Sequence, residues 1–114
     1  MRIVVFGGYS KSLVIFRGPL IQTMINRGHS VVACAAEEDE TVRSVLARWG
    51  ATYHPLPLNR TGVNPFKDMT TLRAIHQLLL RTRADLILSY TLKPVIYGSM
   101  AASLSNVSAV SMIT

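Results

Sequence analysis

The chain has 114 residues, 49% of them apolar and 16% charged, which suits one globular core and leaves no long disordered or low-complexity tract. Its 12 Lys and Arg outnumber its 6 Asp and Glu, and the formal charge of +6 points to a polyanionic partner. No zinc-finger, RRM or KH signature accompanies that charge, so phosphate on a ligand or on a membrane surface is expected rather than nucleic acid.

Ile3–Phe6 is a short β-branched run closed by Gly7–Gly8, and reads as a buried strand followed by a turn. It is too short for a signal-peptide core, and no stretch approaches the ~18 apolar residues that cross a bilayer. Leu13, Phe16, Leu20, Ile21, Met24 and Ile25 then recur at helical spacing up to Gly28, a C-cap residue. Pro19 belongs in a first turn, so the regular helix is expected to begin near Gly18, with Leu13–Phe16 as its approach.

Ser30–Ala35 reads as a second strand and holds the single cysteine, Cys34, as a buried thiol. Glu37–Glu40 lead into a helical face of Val42, Val45, Leu46 and Trp49 that ends at Gly50. Acids in a first turn suit the helix dipole, so this cluster reads as structural rather than as a metal site. Ala51–Leu56 is the third strand, followed by a loop from Leu58 to Pro65 and a helix over Phe66–Arg81 with Leu72, Ile75, Leu78 and Leu79 inward. Asp85–Ser89, Val95–Leu104 and Ser108–Ile113 complete the series as strand, helix and strand.

The rhythm βαβαβαβαβ predicts an α/β fold: a Rossmann-like, doubly wound parallel sheet of about five strands with helices on both faces. Right-handed crossovers bring the loops after Phe6, Ala35, Leu56, Ser89 and Ile113 to one edge, where such sheets bind ligands near the switch in strand order. Thr114 follows the fifth strand directly, so residues 1–114 are expected to be a truncated N-terminal domain.

Two phosphate motifs fail in the first loop, Gly7-Gly8-Tyr9-Ser10-Lys11-Ser12. The dinucleotide fingerprint lacks its second and third glycines, and Ser10 and Phe6 stand where a P-loop needs glycine. What remains is a tight turn, or a glycine pair whose N–H groups can approach an anion at a helix start. His29, His54 and His76 have no metal spacing, and there is no G-x-S-x-G nucleophile elbow. The third loop brings Arg60, Gly62, Asn64 and Pro65 to the functional edge, and Lys93 before Pro94 would set an ammonium beside a helix N-terminus.

Three segments, Phe16-Arg17-x-Pro19-Leu20, Leu58-x-Arg60-x-Gly62-x-Asn64-Pro65 and Thr91-x-Lys93-Pro94-x-x-Tyr97-Gly98-x-x-Ala101-Ala102, occur in order with characteristic spacing. Together they resemble the N-terminal, acceptor-side domain of family-four glycosyltransferases, nearest to bacterial enzymes that extend lipid-linked sugars for capsule, exopolysaccharide or O-antigen. The resemblance implies a two-domain GT-B enzyme whose C-terminal donor domain is absent from this chain. It implies retaining hexosyl or N-acetylhexosaminyl transfer from a nucleotide-sugar to a polyprenyl-diphosphate-linked acceptor, with no metal or other cofactor. Gly7 and Gly8 would then border the cleft near the donor diphosphate, and the Arg60 and Lys93 loops would meet the acceptor or its phosphates. Tyr9, Arg17, Asn64, Thr91 and Tyr97 complete the expected substrate- and phosphate-binding set, and no catalytic group is assigned.

One departure stands out. Relatives often carry a histidine before T-x-K-P, where this chain has Ser89 and Tyr90, so a role built on that histidine does not transfer. The protein is expected in the cytoplasm, at the inner face of the membrane; Leu13–Phe16 reads as core in preference to an apolar membrane contact. The fragment alone is expected to be inactive. The alternative reading is a stand-alone module that binds an anionic ligand or partner; the failed fingerprint disfavours a nucleotide-dependent oxidoreductase or epimerase.

Overall fold

The computed structural model describes the backbone at residues 1–56, 65–90 and 92–112, and the side chains at 1–56, 69–90 and 94–111. Its strands are β1 (Arg2–Phe6), β2 (Ser30–Ala35), β3 (Thr52–Pro55), β4 (Leu86–Tyr90) and β5 (Ser108–Met112). Its helices are α1 (Ser10–Ile15), α2 (Gly18–Asn26), α3 (Glu40–Trp49), α4 (Pro65–Thr82) and α5 (Leu92–Ser105). The strands form one sheet in the order β3-β2-β1-β4-β5, and every neighbouring pair is parallel. The chain works outward from β1 through β2 to β3, then α4 returns it to the other side of β1. The switch point therefore lies between β1 and β4.

Alternate residues of a strand face opposite sides, so the sheet builds two cores. Ile3 and Val5 join Leu13, Ile21, Val42 and Leu46 beneath α1, α2 and α3. Val4 and Phe6 join Ile75, Leu78, Leu79, Ala101 and Ala102 beneath α4 and α5. Burial on both faces is why β1 reads as an unbroken apolar run instead of an alternating one. Cys34 is buried as expected; its thiol lies 3.5 Å from the Val5 carbonyl, and burial pushes its pKa well above the usual thiol range.

The acidic cluster has a local structural use. Asp39 caps α3, its carboxylate accepting from the Val42 N–H at 3.1 Å, and Glu40 lies in the first turn. Glu38 is paired with Arg43 through two hydrogen bonds of 3.0 and 2.9 Å. Gly50 ends the helix in the left-handed region at φ +95°, where a side chain would be strained.

The structure departs from the sequence reading between Ser10 and Gly18. Residues expected as an approach form a separate short helix, α1, and the chain turns at Phe16–Arg17 before α2 begins. Pro19 lies in the first turn of α2, where its missing N–H costs nothing. Gly18 sits against Trp49, whose ring would be 3.0 Å from a Cβ there, so α2 starts in close contact with the end of α3. At the other end, α5 starts three residues earlier than expected and takes Pro94 into its first turn.

His54 on β3 is half-buried, and its pKa lies below the usual imidazole value, chiefly through burial and secondarily through the charges of Arg81 and Arg43. The unfolded chain therefore takes up this proton first as pH falls. Stability is expected to decline as pH drops through the ordinary histidine range near 6.5, and His54→Gln should flatten that part of the profile. Urea midpoints measured across the range decide it; an unchanged slope in the variant would assign the effect to another group.

Candidate active site at the switch point

The β1 strand delivers its chain to the sheet edge and is prolonged by one residue, the Gly7 N–H donating to the Cys34 carbonyl at 3.0 Å. Gly8 and Tyr9 follow, and α1 begins at Ser10. Tyr90, the last residue of β4, lays its side chain across Gly7. A Cβ on Gly7 would fall 2.5 Å from the Tyr90 Cζ and closer still to the hydroxyl, so only glycine fits.

Tyr90 is almost fully buried, and its hydroxyl lies 2.8 Å from the Ser12 Oγ. The same Ser12 hydroxyl is 2.5 Å from the Tyr9 carbonyl, which ties the first turn of α1 to its own entry loop. Arg17 comes from the turn between α1 and α2, its guanidinium carbon 4.8 Å from the centre of the Tyr90 ring. Burial raises the Tyr90 pKa, while the Ser12 hydrogen bond and the Arg17 charge act against that shift. The phenol is neutral near pH 7. The Arg17 Nε is buried, and among the described residues it has no hydrogen-bond partner. Leaving a buried donor unsatisfied costs about 1–3 kcal/mol, and more for a charged one, so the position is suited to an acceptor that completes it.

The β2 loop flanks this cluster. Ser10 is buried with its hydroxyl 3.4 Å from both the Glu37 Oε1 and the Asp39 Oδ2. Tyr53 donates from its hydroxyl to the Glu37 carbonyl, and Arg43 stacks 5.6 Å from the Tyr53 ring centre. On the far side of the switch point α5 begins, its Gly98 pressed against Ser89 and Ile87 of β4.

The structure thus brings Gly7, Gly8, Tyr9 and Arg17 together at the switch point. Tyr97 lies further along α5, half-buried against the core beneath α4 and α5. Lys93 is in the first turn of α5, with its side chain outside the described part; Arg60, Asn64 and Thr91 lie outside the described residues. Sequence reasoning treated Tyr90 only as a departure from the family's histidine and passed over Ser12. The signal for Ser12 was slight: a hydroxyl in the first turn after a glycine pair.

Residues 4–113 match the family described as Glycosyl transferase 4-like. Among solved structures, MurG of Acinetobacter baumannii superposes with a TM-score of 0.77 at 12% identity, over 98% of this chain and 33% of that one. A glycosyltransferase from Rickettsia africae ESF-5 gives 0.74 at 15% identity, over 96% of this chain and 28% of that one. A deacetylase of teicoplanin biosynthesis also gives 0.77, at 9% identity over 96% of this chain and 62% of that one, so likeness at these identities speaks for the fold alone. This chain spans about a third of the length of the first two. No curated protein sequence matches it. With the family matched over almost its whole length and the Rossmann-like sheet of a GT-B domain in place, the chain belongs to the Glycosyl transferase 4-like family.

Proposed function

We propose that this chain is the acceptor-side, N-terminal domain of a retaining GT-B glycosyltransferase. In this reading the whole enzyme moves a hexosyl or N-acetylhexosaminyl group from a nucleotide-sugar to a polyprenyl-diphosphate-linked saccharide, in capsule, exopolysaccharide or O-antigen synthesis. It works at the cytoplasmic face of the membrane, and a second domain holds most of the donor. The observation that supports it best is the Arg17 Nε, buried and without a described partner, beside the Gly7–Gly8 loop at the switch point. That is where a parallel α/β sheet receives a phosphorylated ligand.

The chemistry asked of this domain is electrostatic. As the glycosidic bond to the donor diphosphate breaks, negative charge grows on the leaving oxygen, and the Gly8 N–H stabilises it without reorganising; the Gly7 N–H is committed to the Cys34 carbonyl and fixes the loop instead. Arg17 holds a phosphate oxygen beside it. Tyr9 covers the loop, and Arg60, Asn64, Thr91, Lys93 and Tyr97 receive the acceptor, Lys93 adding its charge to the positive end of α5.

In the full-length enzyme, Lys93→Ala and Arg60→Ala are expected each to lower kcat/KM by about 10²-fold with the melting temperature nearly unchanged. Unchanged kinetics in both variants would remove them from the site. The purified 114-residue chain is expected to transfer no sugar by itself. Transfer from any nucleotide-sugar to a short-chain prenyl-diphosphate saccharide by that fragment would overturn the division of labour.

A further inference from the structure

Buried donors without a partner are rare in proteins, because nothing offsets the loss of their bonds to water. Among the described residues two such donors meet at the switch point. Gly8 is buried, and its N–H has no hydrogen-bond partner there. The Arg17 Nε is the other. Neither donor is held by a bond of its own, so its direction is set by whatever supports it from behind.

One side chain supports both. The Tyr90 ring carries the Arg17 guanidinium, whose central carbon stands 4.8 Å from the ring centre. The Tyr90 hydroxyl lies against Gly7, the residue just before the unpaired Gly8 N–H. Counting protons gives the direction of the bonds that the hydroxyl makes. Ser12 has one hydroxyl proton and gives it to the Tyr9 carbonyl at 2.5 Å. At the 2.8 Å contact Tyr90 therefore donates and Ser12 accepts. The relay runs from the Tyr90 hydroxyl through the Ser12 hydroxyl to the Tyr9 carbonyl. That carbonyl also receives the Ser12 N–H at 3.1 Å, which closes the turn following Gly8.

We propose that Tyr90 is a positioning residue with a separate task for each end of its side chain. The ring sets Arg17, and the hydroxyl, through Ser12, sets the Gly8 turn, so that both unpaired donors face one oxyanion. This inference rests on the phosphate reading of the switch point given above, and names what holds that site in shape. Donors fixed in advance bind charge without reorganising, and a short loop needs an outside support to be fixed. Phenylalanine at position 90 would keep the first task and lose the second.

The experiment titrates inorganic pyrophosphate into the chain by calorimetry, with hydrogen exchange followed by NMR on the same proteins. Tyr90→Phe and Ser12→Ala are each expected to weaken binding about fivefold and to speed exchange of the Gly8 amide by a similar factor. The double variant should lose no more than either single change, because both cut the same relay. The Arg17 Nε–H resonance should stay displaced by the aromatic ring in all three variants. Circular dichroism should show each of them folded, so that lost affinity is not lost fold. Losses that multiply in the double variant, to about 25-fold, would mean that the two hydroxyls act separately, and would overturn the relay. Binding undiminished in both single variants would overturn the positioning role and leave the phosphate site standing. A wild-type chain that does not bind pyrophosphate would remove the phosphate reading instead. Gly8 exchange then decides the relay alone: it stands if both variants speed that exchange equally, and falls otherwise.

Discussion

Gly7→Ala is expected to lower the unfolding free energy by about 3 kcal/mol and the melting temperature by roughly 10 °C or more. The new methyl would overlap the Tyr90 hydroxyl and lie 2.5 Å from Cζ and 3.0 Å from Cε1. Neither side can yield cheaply. Tyr90 is buried, held by Ser12 at 2.8 Å and covered by Arg17 at 4.8 Å, while Gly7 is tied to Cys34 at 3.0 Å. Adding Tyr90→Phe should recover little, because it removes the hydroxyl and leaves both ring carbons in place. Tyr90→Ala makes room, but emptying an aromatic site costs about 3–5 kcal/mol by itself. Urea unfolding of the single and double variants measures all three. A Gly7→Ala midpoint equal to wild type would mean that the ring gives way and does not fix the loop. If the loop moves instead, the Gly8 N–H that the proposed function aims at an anion moves with it, so ligand affinity should fall with stability.

The parts of this molecule that local physics determines could be read from the sequence, and the parts set by distant contacts could not. Ile3–Phe6 announces a doubly buried strand because parallel strands lack a polar face. Asp39 and Gly50 mark the ends of α3 by capping chemistry that acts within a turn. The start of α2 at Gly18 was legible from Pro19, whose missing N–H suits a first turn; what stayed hidden was that the approach before it, Ser10–Ile15, forms a helix of its own. The site behaves in the same way. A glycine pair after a strand signals a turn near a ligand, but the partner that makes Gly7 obligatory comes from β4. Ser12 and Tyr90 meet across 78 residues of sequence. The outward stripe of α5 was ambiguous for another reason: the helix is apolar nearly all round, and only its small residues Gly98, Ala101 and Ala102 indicate the side pressed to the sheet.

Gly98→Ala is expected to change sign with its background. In a helix interior, replacing glycine by alanine stabilises by about 1 kcal/mol, because the unfolded chain loses freedom. Here the added methyl would overlap the Ser89 Oγ on β4, an overpacking that costs about 1–3 kcal/mol and outweighs the helical gain. Removing that oxygen changes the balance. With Ser89→Ala the nearest neighbours become the Ile87 Cδ1 at 3.3 Å and the residue 89 Cβ at 3.4 Å, which adjust by a few tenths of an ångström. Gly98→Ala should therefore destabilise the wild-type chain and stabilise the Ser89→Ala chain, with a coupling of about 1–2 kcal/mol between the two changes. Urea unfolding around the double-mutant cycle reads this directly. Additive effects would show that α5 does not rest on Ser89 through Gly98. Coupling would identify this contact as the seat that fixes α5 against β4, and so fixes its first turn, with Lys93 and Pro94, at the edge where the switch point opens. Gly98→Val, which adds two more carbons to the same overlap, should then shift that turn as well as destabilise the fold. If the proposed acceptor binds at that edge, affinity for a prenyl diphosphate should fall further than the unfolded fraction alone accounts for.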